Sequence, residues 1–76
     1  MVCIYEVRYE FQWRSSEPTH WEAEVLRVAA GRDAQEAINK ARAHALARHR
    51  LDENGNEEHC VGFRLREVQL VAEAQL

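Results

Sequence analysis

Cys3-Ile4-Tyr5-Glu6-Val7-Arg8-Tyr9-Glu10-Phe11-Gln12-Trp13 alternates cleanly from Tyr5 onward: apolar or aromatic residues take the odd positions, and Glu6, Arg8, Glu10 and Gln12 take the even ones. Successive strand side chains point to opposite faces, so this period of two predicts a long strand with one face in a core. Arg14-Ser15-Ser16-Glu17-Pro18-Thr19 then supplies turn formers, and Pro18 has no N–H to give to a ladder. The strand therefore turns back as a hairpin. Trp21, Ala23 and Val25 continue the alternation against His20, Glu22 and Glu24, after which the phase changes to Leu26, Val28 and Ala30. One extra residue near Val25 and Leu26, a β-bulge, predicts such a change. With Trp13 opposite Trp21, the register puts Phe11 opposite Ala23 and Tyr9 opposite Val25.

Downstream of Gly31, Asp33 stands three residues before Glu36, the spacing of a helix N-terminal capping box. The run from there to about Leu51 has neither Gly nor Pro, and Ala34, Ala37, Ile38, Ala41 and Ala45 recur at helical spacing. An alanine face lets a helix sit close to a sheet whose own inner side chains are large. Asp52-Glu53-Asn54-Gly55-Asn56-Glu57-Glu58 follows as an acidic loop whose Asn-Gly centre tolerates positive φ. A third strand runs from His59 to Ala72. Its apolar residues Val61, Phe63 and Leu65 change phase to Val68, Leu70 and Ala72, which predicts a second bulge near Arg66 and Glu67.

These elements give an α+β fold of ββαβ type: a mainly antiparallel three-stranded sheet, order 2-1-3, with one helix on one face. Residues 1–76 form one domain, since a chain this short buries only a thin core. Hydrophobic residues make up 46% and charged residues 30%, a globular balance without an apolar run long enough for a membrane span. No leader pattern precedes the first strand, and Cys3 and Cys60 are expected on opposite faces of the sheet as free thiols, so a cytoplasmic location is expected. The formal charge of −3 gives no global attraction to nucleic acid, which leaves any such affinity to a local patch.

Metal ligands must converge, yet His44 and His49 are five apart on the predicted helix and His59 and Cys60 are neighbours on a strand. The three glycines, Gly31, Gly55 and Gly62, make no phosphate cradle, and no nucleophile is spaced with a base. No catalysis, metal or cofactor is expected. Two binding surfaces remain. Trp13 and Trp21, with Phe11, gather at the hairpin end, and a helix of about 17 residues spans only roughly 25 Å, too short to cover that end fully. Such stiff aromatics suit the centre of a protein interface. Alternatively Lys40, Arg42, Arg48 and Arg50 on the basic helix 37–51 suit phosphates, although at helical spacing they spread round the helix.

Val28-Ala29-Ala30-Gly31-Arg32-Asp33-Ala34-Gln35-Glu36-Ala37 resembles the strand-to-helix joint of small ββαβ proteins encoded by phages and mobile elements. Some of those proteins, anti-CRISPR proteins among them, act by binding and inhibiting a host complex. The resemblance covers this joint alone and carries no functional residue. The expected function is a non-catalytic protein–protein interaction module, bound to itself or to a larger complex, with a nucleic-acid-binding or regulatory module as the alternative. A homodimer is also expected. If Val61 lies opposite Phe11, residues from Val71 onward outrun the first strand and leave Val71, Ala72 and Leu76 as an unpaired strand end that a second copy can cover.

Overall fold

The computed structural model describes residues 2–74, with the elements β1 (Val2–Trp13), β2 (Glu22–Ala30), α1 (Ala34–Leu46), β3 (His49–Leu51) and β4 (Glu57–Ala74). The sheet is antiparallel throughout, in the order β2-β1-β4-β3. The α+β class and the central place of β1 beside the long last strand agree with the expectation, whereas the count of three strands is corrected to four. The added strand, β3, takes residues assigned above to the helix. After Ala45 the chain reads Leu46-Ala47-Arg48-His49, in which the positions that would continue the alanine face are Arg48 and His49, and α1 ends with the Ala47 N–H on the Ala43 carbonyl. Asp52 then accepts from the backbone of both Asn54 and Asn56, and Gly55 takes φ 79°, so the acidic segment is a tight turn that folds His49–Leu51 onto Glu57–His59.

The start of the helix is built nearly as its sequence predicts. The Asp33 carboxylate accepts from the Gln35 N–H at 2.9 Å, satisfying one of the first-turn donors. Glu36 reaches back further than a capping box requires and accepts from the Gly31 N–H, while also pairing with Lys40. Ala37, Ala41 and Ala45 are wholly buried against a sheet face carrying Cys3, Tyr5, Val7, Tyr9, Phe11 and Trp13, with Ala34 at the rim. Small on large is the packing that closes this core.

The register of β2 corrects the pairing of the tryptophans. Phe11 lies opposite Glu22, Tyr9 opposite Glu24, Val7 opposite Leu26 and Tyr5 opposite Val28, with no irregularity between β1 and β2. Leu26, Val28 and Ala30 therefore face the helix, and Trp21, Ala23 and Val25 belong to the other phase, on the open face. No bulge is needed, because Glu22 and Glu24 are tolerated on the helix side. Glu24 accepts from the Tyr9 hydroxyl at 2.5 Å and pairs with Arg48. Glu22 keeps one buried carboxylate oxygen without a partner among the described residues.

All the irregularity lies in β4. Its pairing with β1 shifts at three places, where Val61, Arg66 and Val71 are the extra residues. The bulge expected near Arg66 is present. The other two change what the ends of the strand do: Cys60 comes opposite Trp13 on the helix side, Val61 turns out to solvent, and Ala72, Glu73 and Ala74 pair with Ile4, Cys3 and Val2. Cys3 and Cys60 thus share one face at opposite ends of β1, both buried and free, instead of pointing apart. The strand end from Val71 does not outrun β1, because the partner of Phe11 is Phe63 and not Val61. The overhang on which the dimer edge rested is therefore gone at Val71 and Ala72, and Leu76 lies outside the described residues.

Candidate protein-docking surface

Three guanidinium groups, one from α1 and two from beyond its last turn, extend the covering of the core. Arg42 lies 5.4 Å from the centre of the Phe63 ring, Arg48 4.6 Å from that of Phe11, and Arg50 4.2 Å from that of Trp13. A cation over an aromatic face is attracted by the ring quadrupole, and the flat guanidinium also excludes water as an apolar group does. Two of the three are held by carboxylates, Arg48 by Glu24 and Arg50 by Glu58 through an Nε–Oε1 contact of 2.6 Å. Glu58 is itself buried and accepts from the Ser15 N–H, so it ties the β1–β2 loop to β3. Hydrogen bonds from Ser15 and Arg50 hold its carboxyl below the usual carboxylate range. Burial, then the Glu24 hydrogen bond, pushes the Tyr9 hydroxyl far up.

This roof changes the standing of both sets of predicted binding residues. Phe11 and Trp13 are buried, while Trp21 lies half-buried on the opposite face beneath Arg64, whose Cζ is 4.3 Å from its ring centre. The three aromatics do not form one surface. Of the basic set, only Lys40 and Arg42 are on the helix. Arg48 and Arg50 lie in and before β3, and each is engaged with a carboxylate and an aromatic ring. Lys40 donates to the Ala29 carbonyl at 2.8 Å and contacts Glu36. A phosphate would have to compete with each of these contacts.

The open face is a lattice of charges. Glu10 accepts both Nε and Nη2 of Arg64, at 2.8 and 3.3 Å, and lies 3.5 Å from Arg66, while Glu6 contacts Arg8 and Arg27 and Glu67 contacts Arg8. The Arg64 hydrogen bond keeps Glu10 ionised below the usual range. Such alternation, four arginines among three glutamates, leaves no block of charge of one sign.

Among the described residues the exposed large hydrophobics are Val25, Leu46 and Leu51, in three different elements, and Val61, Leu65, Leu70 and Val71, which lie together along β4. Leu65 is 40% exposed and Leu70 44%, although both lie on the helix side of the sheet, and Val61 and Val71 add exposed side chains at two of the bulges. Phe63 and Val68, half-buried, complete the row on the helix side. From Val61 onward the strand bonds to β1 on one side, and no described residue pairs with the other. The outer side of β2 is likewise without a strand neighbour among the described residues, with one of its carbonyls, that of Ala29, accepting from Lys40. Sequence periodicity placed Leu65 and Leu70 in the core. The signal that would have corrected it is topological: the residues belong to a strand whose outer side carries only the three-residue β3 at one end.

Among the described residues no group of three His, Cys, Asp or Glu side chains gathers as a metal ion would require, and no helix is long and apolar enough to cross a membrane. The depression beside the β3–β4 turn is lined by Ser15, Arg50, Leu51, Asp52, Glu53 and Asn54, and its one strong cation is bound to Glu58. Comparison with protein-family models, curated proteins and solved structures gives no match.

Proposed function

We propose that this chain is a non-catalytic protein-binding module that docks through the outer side of β4. The observation that carries the reading is the row of Leu65, Leu70, Val61 and Val71, apolar and open to solvent along a strand whose outer side, from Val61 onward, has no neighbour among the described residues. Exposed apolar patches and strand edges are costly to leave in water and prone to unwanted pairing, so a native chain that carries both in one place is adapted to cover them.

Site-specific photo-crosslinking in the native host tests this reading. A photoreactive residue at Leu70 is expected to give a discrete protein adduct, and the same residue at Arg27, on the open face of β2, is not. Adducts at Arg27 with none at Leu70, or none at either site, would overturn it.

A further inference from the structure

The three bulges of β4 give the strand a symmetry. The residues that face the helix side are those opposite Trp13, Phe11, Tyr9, Val7, Tyr5 and Cys3, namely Cys60, Phe63, Leu65, Val68, Leu70 and Glu73. Their spacing is three, two, three, two, three, which reads the same in both directions about a point between Arg66 and Glu67. A strand laid antiparallel along this edge pairs residues in reversed order, so only a strand with the same broken spacing keeps its side chains in phase from end to end. A regular strand, with its strict period of two, matches one half and then must leave a residue unpaired at each bulge. Bulges normally defend an edge in this way. Here the one strand known to carry the matching defect is another β4.

We infer that the β4 edge is occupied by a second copy of this chain, in antiparallel pairing about a twofold axis between Arg66 and Glu67. The inference rests on the docking role proposed above and names the occupant. In this register Leu65 falls opposite the partner's Val68 and Phe63 opposite the partner's Leu70, so each exposed leucine is covered by an apolar residue of the other copy. At the axis Arg66 meets the partner's Glu67 and Glu67 meets the partner's Arg66, two opposite-charge pairs from side chains that are 63% and 60% exposed in the single chain. A shift of one residue sets Leu65 against Glu67 and Val68 against Arg64 in one direction, or Val68 against Arg66 and Leu70 against Arg64 in the other, and brings Arg66 or Glu67 onto its own copy. The pairing is confined to about Val61–Ala72, because the outer side of Cys60 already bonds to the Arg48 carbonyl at the start of β3. An isologous contact of this kind closes on itself, so it ends at two copies and not in a fibre.

Charge reversal tests it in a way that separates register from mere stickiness. Sedimentation of the full chain at tens of micromolar is expected to give a dimer. Arg66→Glu and Glu67→Arg should each raise the dimer dissociation constant at least about tenfold, since like charges then oppose at both axis positions. The double reversal should return it to within about threefold of the parent, because the pairs are re-formed with exchanged signs. Circular dichroism of each variant reports whether the monomer still folds, and mixed Leu65→Cys and Val68→Cys chains should form an inter-chain disulfide that neither forms alone. A parent chain that stays monomeric at 100 μM, a dimer indifferent to the single reversals, or a double reversal no better than either single would overturn the inference. A monomer whose Leu70 position still captures a different protein would end the self-pairing and leave the docking role standing.

Discussion

Arg50 lies over the Trp13 ring at 4.2 Å while its Nε donates to a Glu58 oxygen at 2.6 Å, so one guanidinium joins the last aromatic of β1 to the start of β4. The arrangement explains how a core can be closed beyond the reach of α1. The guanidinium supplies a flat cover, and the carboxylate fixes where that cover sits.

Removing the cover should uncover the ring. In a Trp21→Phe background, where Trp13 is the sole emitter, Arg50→Ala is expected to shift fluorescence to the red and increase quenching by acrylamide. The accompanying loss of stability should exceed the roughly 1 kcal/mol of a cation–π contact at a half-exposed site, because the buried Glu58 carboxylate also loses its cation. Unchanged emission would show that Trp13 is buried by other groups.

Acid should act through the same corner. Glu58 and Glu10 are held below their ordinary value of 4.5 by hydrogen bonds to Ser15 and Arg50 in one case and Arg64 in the other. A carboxylate whose folded value is depressed adds stability above its unfolded value, and that stability is lost as pH falls through the folded one. Melting temperature is therefore expected to be flat above about pH 5 and to fall below pH 4.5. Glu58→Gln should be less stable than the parent at pH 7 and should lose less on acidification. A parallel fall in both proteins would assign the acid effect to other groups.

Gly62 is required by the neighbour that crosses it. A Cβ there would stand 3.0 Å from Cη2 and 3.2 Å from Cζ3 of Trp21, so the ring must shift from its place under Arg64. Gly62→Ala is expected to cost about 1 kcal/mol and to make the Trp21 signal more mobile, read by thermal melting and fluorescence anisotropy. A variant as stable as the parent would indicate that the indole has room to move.

Ala41 is wholly buried in the middle of the helix stripe. Ala41→Leu keeps helix propensity and adds volume where the helix meets the sheet, so it tests the close approach that the alanine face allows. The expected loss is about 1–3 kcal/mol, which for a domain of this size lowers the melting temperature by several degrees or more. A gain in stability would reveal unfilled space beneath α1.

The parts that were legible in the sequence are those governed by local pattern. Tyr5 to Trp13 gave β1 and its buried face, Asp33 gave the helix start, and Ala37, Ala41 and Ala45 gave the stripe that packs on the sheet. Register was not legible, because it depends on which polar residues find partners. Glu22 and Glu24 looked like solvent-face residues. Glu24 is accepted on the helix side only because Tyr9 and Arg48 meet it there, and those lie 15 and 24 residues away. The same shift moved Trp21 to the face opposite Trp13. Two of the β4 bulges were hidden for a related reason: Val61 and Val71 are as hydrophobic as core residues, and only pairing against β1 exposes them as extra.

The position of β1 in the sheet bears on the order in which the molecule can assemble. It is the first strand in the chain and the most apolar, yet it lies between β2 and β4, and Val2 pairs with Ala74 near the far end. The β1–β2 hairpin forms from local contacts, but the second edge of β1 stays open until nearly all the rest of the chain is present. Closing so long a loop has an entropic cost that local structure does not offset in advance. Refolding is therefore expected in milliseconds or longer, and through that interval the aromatic face of β1 is open to any strand that arrives before β4 does.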